Sequence, residues 1–343
     1  MMADAVYASI DDAIMRSITP GAVVGWWHTG APTDVRVVAH GHYEYTITAP
    51  LVRAQTVYDL ASITKIVTAT AALALVSRGE LSLTQQVQSV LPANCAHDVT
   101  LTHLLTHTSS LRIRLSTVAQ TGADALWKAV HATQPSQQPG SVVEYANVNT
   151  LLLGAIIECV TGMPLDRALT ELVLTPAQMT TTCFNPPSTW YDNIPPTEID
   201  DVRGVVRGTV HDESCASLGG VAGHAGLFGT VADMVRFGQM WLATLHGASP
   251  WQIDAALAQM AVTCQTPANQ LGCGLGWMMR RQSFMGQFVD EAVGHTGFTG
   301  PVIGIVPSTG LVWSVLCNRT WPKRTMPPQH HGFLTDVLQA LGG

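Results

Sequence analysis

Apolar residues fall into two periods along the chain. At 23–28 and 35–45, β-branched and aromatic residues dominate, and Gly30-Ala31-Pro32-Thr33-Asp34 between them is turn chemistry, so a β-hairpin is predicted. From 62 to about 79 the pattern turns helical, with Ala and Leu dominant and Gly79 near the end. Segments 100–108, 124–131, 149–160 and 231–245 also read as helices. Loops rich in Pro, Gly, Ser and Thr, notably 134–140 and 185–201, lie among them. Strand character returns at 275–279, 301–306 and 311–317, before a last helix at about 333–341. Antiparallel strands from both chain ends can share one sheet if the helical middle is an insertion. The expected class is α/β (α+β): residues 1–60 plus 270–343 as a discontinuous sheet domain, and 61–269 as a mostly helical one.

Composition narrows this. With 343 residues, 47% of them hydrophobic, the chain can bury one large core or two intergrown ones. Only 12% of residues are charged, which suits a compact enzyme-like globule and not a disordered chain. A net charge of -7 without a basic stripe argues against a nucleic-acid partner. The pairs Arg280-Arg281 and Lys323-Arg324 read as solvated surface. No run approaches the roughly 18 apolar residues of a membrane span. Met1-Met2-Ala3-Asp4 opens no export-signal pattern. The expectation is a cytoplasmic protein, or a periplasmic or extracellular one if an export signal has been removed. Seven irregularly spaced cysteines without a C-x-x-C pair read as free, mostly buried thiols, with a Cys264–Cys273 bridge as the alternative.

Three short patterns carry chemistry. In Ser62-Ile63-Thr64-Lys65 the first and last side chains lie on one helical face. A serine hydroxyl needs a base to take its proton, and a lysine amine serves when burial or nearby positive charge loosens its own. A serine at a helix start also has free amides and the helix dipole to favour an oxyanion. In Tyr145-Ala146-Asn147 the phenol can relay protons near an ammonium, and the amide can hold a lysine and a substrate carbonyl. Equally, Asn147 or Asn149 could cap the helix that follows. In His295-Thr296-Gly297 the glycine would let a substrate backbone lie close to a strand, or the segment is an ordinary turn. His103 and His107 have metal-pair spacing but no H-E-x-x-H glutamate and no evident third ligand, and read as structural. His40, His42, His330 and His331 read as surface residues. His211 and His224 read as either cleft wall or buried, hydrogen-bonded histidines.

In this order and at these separations the three patterns resemble the penicillin-recognising serine enzymes, in the class C β-lactamase and DD-peptidase branch, with its S-x-x-K, Y-x-N and K/H-T-G elements. The flanks YDLASITKIVTAT (58–70), LTHLLTHTSSL (101–111), HDESCASLGGVAGHAGLFGTVADMVRF (211–237) and GHTGFTG (294–300) resemble that family too, so the likeness spans residues 20–320. It implies a β-lactamase/transpeptidase-like fold: an antiparallel sheet flanked by helices, an inserted helical domain, and the active site between them. It implies that Ser62 forms an acyl-enzyme, that Lys65 and Tyr145 share base and acid work, and that Asn147 contacts Lys65 and substrate. By their own chemistry His295 and Thr296 could grip a substrate carboxylate or position protons; the resemblance implies that the amides of Ser62 and Phe298 form an oxyanion hole. It implies no metal and no cofactor. Two positions depart from the pattern. His295 stands where many β-lactamases carry lysine, and Ser110 where glycine is common. A histidine is largely neutral at pH 7, so an efficient β-lactamase is not expected. If His295 binds carboxylate as imidazolium, that affinity should rise as pH falls through its pKa. The expected function is a serine hydrolase of an ester or amide, esterase or D-amino-acid peptidase-like with at most weak β-lactamase activity, acting on a small-molecule or peptide substrate. The rivals are an acyltransferase using the same acyl-enzyme and a non-catalytic penicillin- or peptide-binding sensor on the same fold.

Overall fold

The computed structural model describes residues 2–31, 35–324 and 329–342. Both chain ends do build one sheet. Its six antiparallel strands run, edge to edge, Arg36–Gly41, Gly21–His28, Leu311–Cys317, Val302–Val306, Val293–Thr296 and Met278–Met279. Side chains alternate across it, as strand geometry requires. Ala22, Val24, Trp26, Val302, Trp313 and Val315 face one core, shared with helices Met2–Met15 and Gln329–Gly342. Val23, Ile303, Ile305, Val312 and Leu316 face the other, larger core, against helix Val231–Leu245. The sheet is therefore sandwiched, and its inner face closes onto the helical part of the chain.

At the centre of that part lies helix Thr64–Ser77, buried at every position from Thr64 to Leu75. It packs against helix Asn147–Thr161, and Trp241 donates to its Thr70 hydroxyl. Trp241, Trp251 and Trp277 pack with Phe237, ring centroids 5.5–6.2 Å apart.

The period-based elements are present with shifted ends. The second hairpin strand stops at Gly41, where φ is +89° and a Cβ would sit 2.5 Å from the Pro20 carbonyl. Of the expected turn, Pro32, Thr33 and Asp34 lie outside the described residues. The helix expected over 100–108 is only Leu101–Leu105, because His107 and Ser110 take left-handed φ of +56°. That is the conformation for which glycine is common at 110. The strand expected at 275–279 is reduced to Met278–Met279. Helix Met2–Met15 had no pattern-based expectation, since only Val6, Ile10 and Ala13 bury along it. All seven cysteines are free, Cys264 and Cys273 included. Among the described residues no single helix is long and apolar enough to cross a membrane.

Candidate active site

Strand Tyr58–Asp59 pairs with Leu227–Gly229, and the Leu60 amide continues the ladder to the Leu227 carbonyl. The chain then turns sharply. Ala61 adopts φ +47°, uncommon for a residue with a Cβ, and Ala61–Ile63 forms a single 3₁₀ turn that leads into helix Thr64–Ser77. This turn presents Ser62 to a cavity of about 850 Å³ whose wall includes Arg112, Arg114, Tyr145, Asn147 and Phe298.

Lys65, one helical turn on, is only 1% exposed. Its Nζ lies 2.8 Å from Ser62 Oγ and 2.8 Å from the His224 carbonyl oxygen. It also lies 5.1 Å from the centroid of the Tyr145 ring, within cation–π range. Ser62, Lys65 and Tyr145 are thus brought together. Asn147 reaches the cavity wall from the first turn of its helix. Among the described residues, the hydrogen bonds of Lys65 go to Ser62 and His224 and not to Asn147.

The third pattern sits differently from expectation. His295 is 1% exposed and is not on the cavity wall. Its Nδ1 bonds the Thr296 carbonyl oxygen at 2.9 Å, its Nε2 has no hydrogen-bond partner among the described residues, and its ring centroid is 6.0 Å from that of Tyr145. Burial, reinforced by the Lys65 charge, pushes its pKa well below the usual histidine value. Burial and the Lys65 charge thus favour the neutral ring over an imidazolium that could grip a carboxylate. Thr296 and Gly297 line a separate cavity of about 450 Å³ with Arg281 and Arg319. Gly297 serves a close approach of protein to protein, since a Cβ there would meet the Leu60 carbonyl at 2.7 Å and Ala61 Cβ at 3.2 Å. Of the 295–298 segment, Phe298 borders the same cavity as Ser62.

Several residues named in the sequence for other reasons position the site. His107 Nδ1 accepts from the Ala146 amide at 3.3 Å and lies 3.0 Å from Asn149 Nδ2, while Ser109 donates to Asn149 Oδ1. A ring nitrogen facing two N–H donors carries no proton. Burial accordingly pulls the His107 pKa down to about 3, with Lys65 adding to it. The His107 ring lies against Tyr145 at 4.7 Å, so the would-be metal ligand shelves the tyrosine instead. His103 caps its own helix through Thr100. Among the described residues no group of three or more His, Cys, Asp or Glu is placed to hold a metal ion. His224, fully buried, places its Nε2 2.9 Å from Ser214 Oγ and 3.1 Å from Asp212 Oδ1. Burial pushes the Asp212 carboxyl up, but the His224 ring, Ser214 hydroxyl and Cys215 amide overcome it and leave it well below the usual carboxylate range. This cluster anchors the loop whose carbonyl holds Lys65.

The rim is charged and mostly self-neutralised. Arg112 pairs with Glu144 at 2.6 Å. Arg324, expected at the solvated surface, instead bonds Glu198 at 2.7 Å and Glu213 at 2.6 Å, and His211 Nε2 meets Glu198 at 3.0 Å. His330 is likewise buried, not a surface residue. Lys323 does stay outside, paired with Asp201.

Comparison with known proteins places this geometry. The Beta-lactamase family model matches residues 10–331. A protein of Escherichia coli strain K12 named "Putative D-alanyl-D-alanine carboxypeptidase" is 31% identical over 77% of this chain and 69% of its own length. A class C beta-lactamase from Rhodobacter sphaeroides superimposes with a TM-score of 0.76 at 22% identity, over 99% of this chain and 100% of that one. EstCE1, described as a hydrolase with promiscuous acyltransferase activity, does so at 0.75 and 18% identity, over 97% and 98%. The two structural likenesses bear on the fold alone, whereas the family match spans nearly all of the chain. With its S-x-x-K pair assembled at the cavity, the chain belongs to the beta-lactamase family of serine hydrolases.

Proposed function

We propose that the chain cleaves an ester or amide through an acyl-serine intermediate on Ser62, with D-alanyl peptides and simple esters as the favoured substrate classes. The observation that carries this is the 2.8 Å contact between Ser62 Oγ and the buried Lys65 Nζ beside a cavity of about 850 Å³. In its neutral form the Lys65 amine accepts the Ser62 proton as Oγ bonds the substrate carbonyl carbon, and the carbonyl electron pair moves onto oxygen. The amides of Ser62 and Phe298 stabilise that oxyanion. Collapse breaks the bond to the leaving group, which takes the proton back from Lys65, directly or through Tyr145. Water then attacks the acyl-serine by the same route, releasing acid and restoring Ser62. The D-alanyl class is favoured by the name of the Escherichia coli relative. The buried His295, its pKa held well below the usual histidine value, offers no charge of its own to a substrate carboxylate, which weighs against β-lactams and D-alanyl peptides alike and favours neutral esters.

A panel of an activated ester, a D-alanyl-D-alanine peptide and a chromogenic cephalosporin tests the reading. Turnover of the ester or the peptide should exceed that of the cephalosporin at least tenfold, and Ser62→Ala should abolish all of it. Equal or faster cephalosporin turnover would overturn the ranking, and activity surviving in S62A would overturn the nucleophile. Acceptor-linked product in excess of free acid, when alcohols or amines are added, would favour an acyltransferase.

A further inference from the structure

One buried carboxylate lies directly behind the nucleophile and has no part in the steps above. Asp59 is 2% exposed. Its Oδ1 accepts the Ala61 amide at 2.8 Å, and its Oδ2 accepts the His211 amide at 2.7 Å. Ala61 is the left-handed residue whose turn aims Ser62, and His211 lies on the cavity wall. The Asp59 carbonyl oxygen in turn accepts from the Thr299 hydroxyl at 3.0 Å, next to Phe298. Three walls of the cavity therefore meet at this one residue.

We propose that Asp59 is a positioning residue for acylation, holding the Ser62 turn and the His211 wall in register, and that only its ionised form does so. The chemistry of the two bonds requires the charge. Each oxygen faces a backbone N–H, so protonation turns one acceptor into a much poorer hydroxyl acceptor, and an asparagine must turn its NH2 donor toward one of them. One amide is then left without a good acceptor inside the protein, which is costly. The charge itself is held against its surroundings. Burial pushes the Asp59 pKa up to about 6; the amides of His211 and Ala61 oppose this, the Asp212 charge adds to it, and Arg203 opposes it. Cys215, buried nearby, is pushed to higher pKa mainly by its own burial and stays a thiol. The clamp is thus made above about pH 6 and released below it.

The inference rests on Ser62 being the nucleophile, so the test begins with wild-type enzyme and a neutral activated ester under single-turnover conditions. If no acyl group appears on Ser62, the reading of the site itself fails. If it appears, the acylation rates of wild type and Asp59→Asn are compared from pH 4.5 to 8. The asparagine cannot present two acceptors at any pH, so the wild-type to D59N ratio should be tenfold or more above pH 7 and fall at least fivefold by pH 5, as the wild-type acid loses its charge. A ratio that is constant across pH, whether large or near one, would show a structural role or none and overturn the proposal. Should D59N fail to fold, hydrogen exchange of the wild type decides. Segments containing the Ala61 and His211 amides should lose protection, relative to intrinsic exchange, as pH falls through about 6. Flat protection there would overturn the clamp.

Discussion

At the residue scale the account turns on which groups are charged inside the protein. His295 was singled out by its place before Thr296-Gly297, but its burial and charge were not readable there. Charge state depends on burial and on the nearby Lys65, and neither is written in a tripeptide. The consequence is a flat pH response. KM for a carboxylate-bearing substrate, divided by KM for its neutral ester, should stay within about twofold from pH 8 to pH 5. Burial and the Lys65 charge oppose charging of the His295 ring as the pH falls. A fall of tenfold or more in that ratio as the pH drops through 6.5 would show an imidazolium grip after all. Ser62 and Lys65 were legible because their pairing is local: three residues on a helix suffice to bring them together. Asn147 shows the opposite case, since whether its amide meets Lys65 depends on how two distant helices pack. The same holds for Asp59, which is adjacent in sequence to the motif but takes its function from His211, 152 residues away.

At the element scale the nucleophile turn and the 293–296 strand depend on each other's backbone. Gly297 touches Leu60 and Ala61 with no room for a side chain. Gly297→Ala would drive a Cβ to 2.7 Å from the Leu60 carbonyl, so the strand end or the turn has to move. We expect a stability loss of about 1–3 kcal/mol by denaturant titration, together with a tenfold or larger fall in kcat, because the turn that moves carries Ser62. Unchanged kcat would mean that the two elements are not mechanically linked. The glycine could be spotted from sequence, and its reason could not: the expected partner was substrate backbone, and the observed one is the enzyme's own. The end of helix Leu101–Leu105 follows the same logic. Glycine was expected at 110, and Ser110 does take the left-handed conformation that favours it. The His107 ring bonds that hold the Tyr145 turn come from a contact across about forty positions, beyond the reach of any local pattern.

At the scale of the whole molecule, the pairing of strands from both chain ends was readable. The runs at 21–28, 302–306 and 311–317 are short, apolar and sharply bounded, and the helical middle carries another period. Helix Met2–Met15 was not, since it buries only Val6, Ile10 and Ala13. Nor was the destination of Arg324, because its pairing with Glu198 and Glu213 joins segments more than a hundred residues apart. What the fold accomplishes is to bring a turn from residues 58–65, a loop at 145–147 and a strand end at 298 to one cavity.

The claim that this assembly is an acylating serine is tested most directly by intact mass and peptide mapping after exposure to a fluorophosphonate or a penicillin. The account predicts a single covalent adduct with either reagent, located on Ser62 and absent from Ser62→Ala. No adduct with either reagent, or an adduct that persists in S62A, would contradict it.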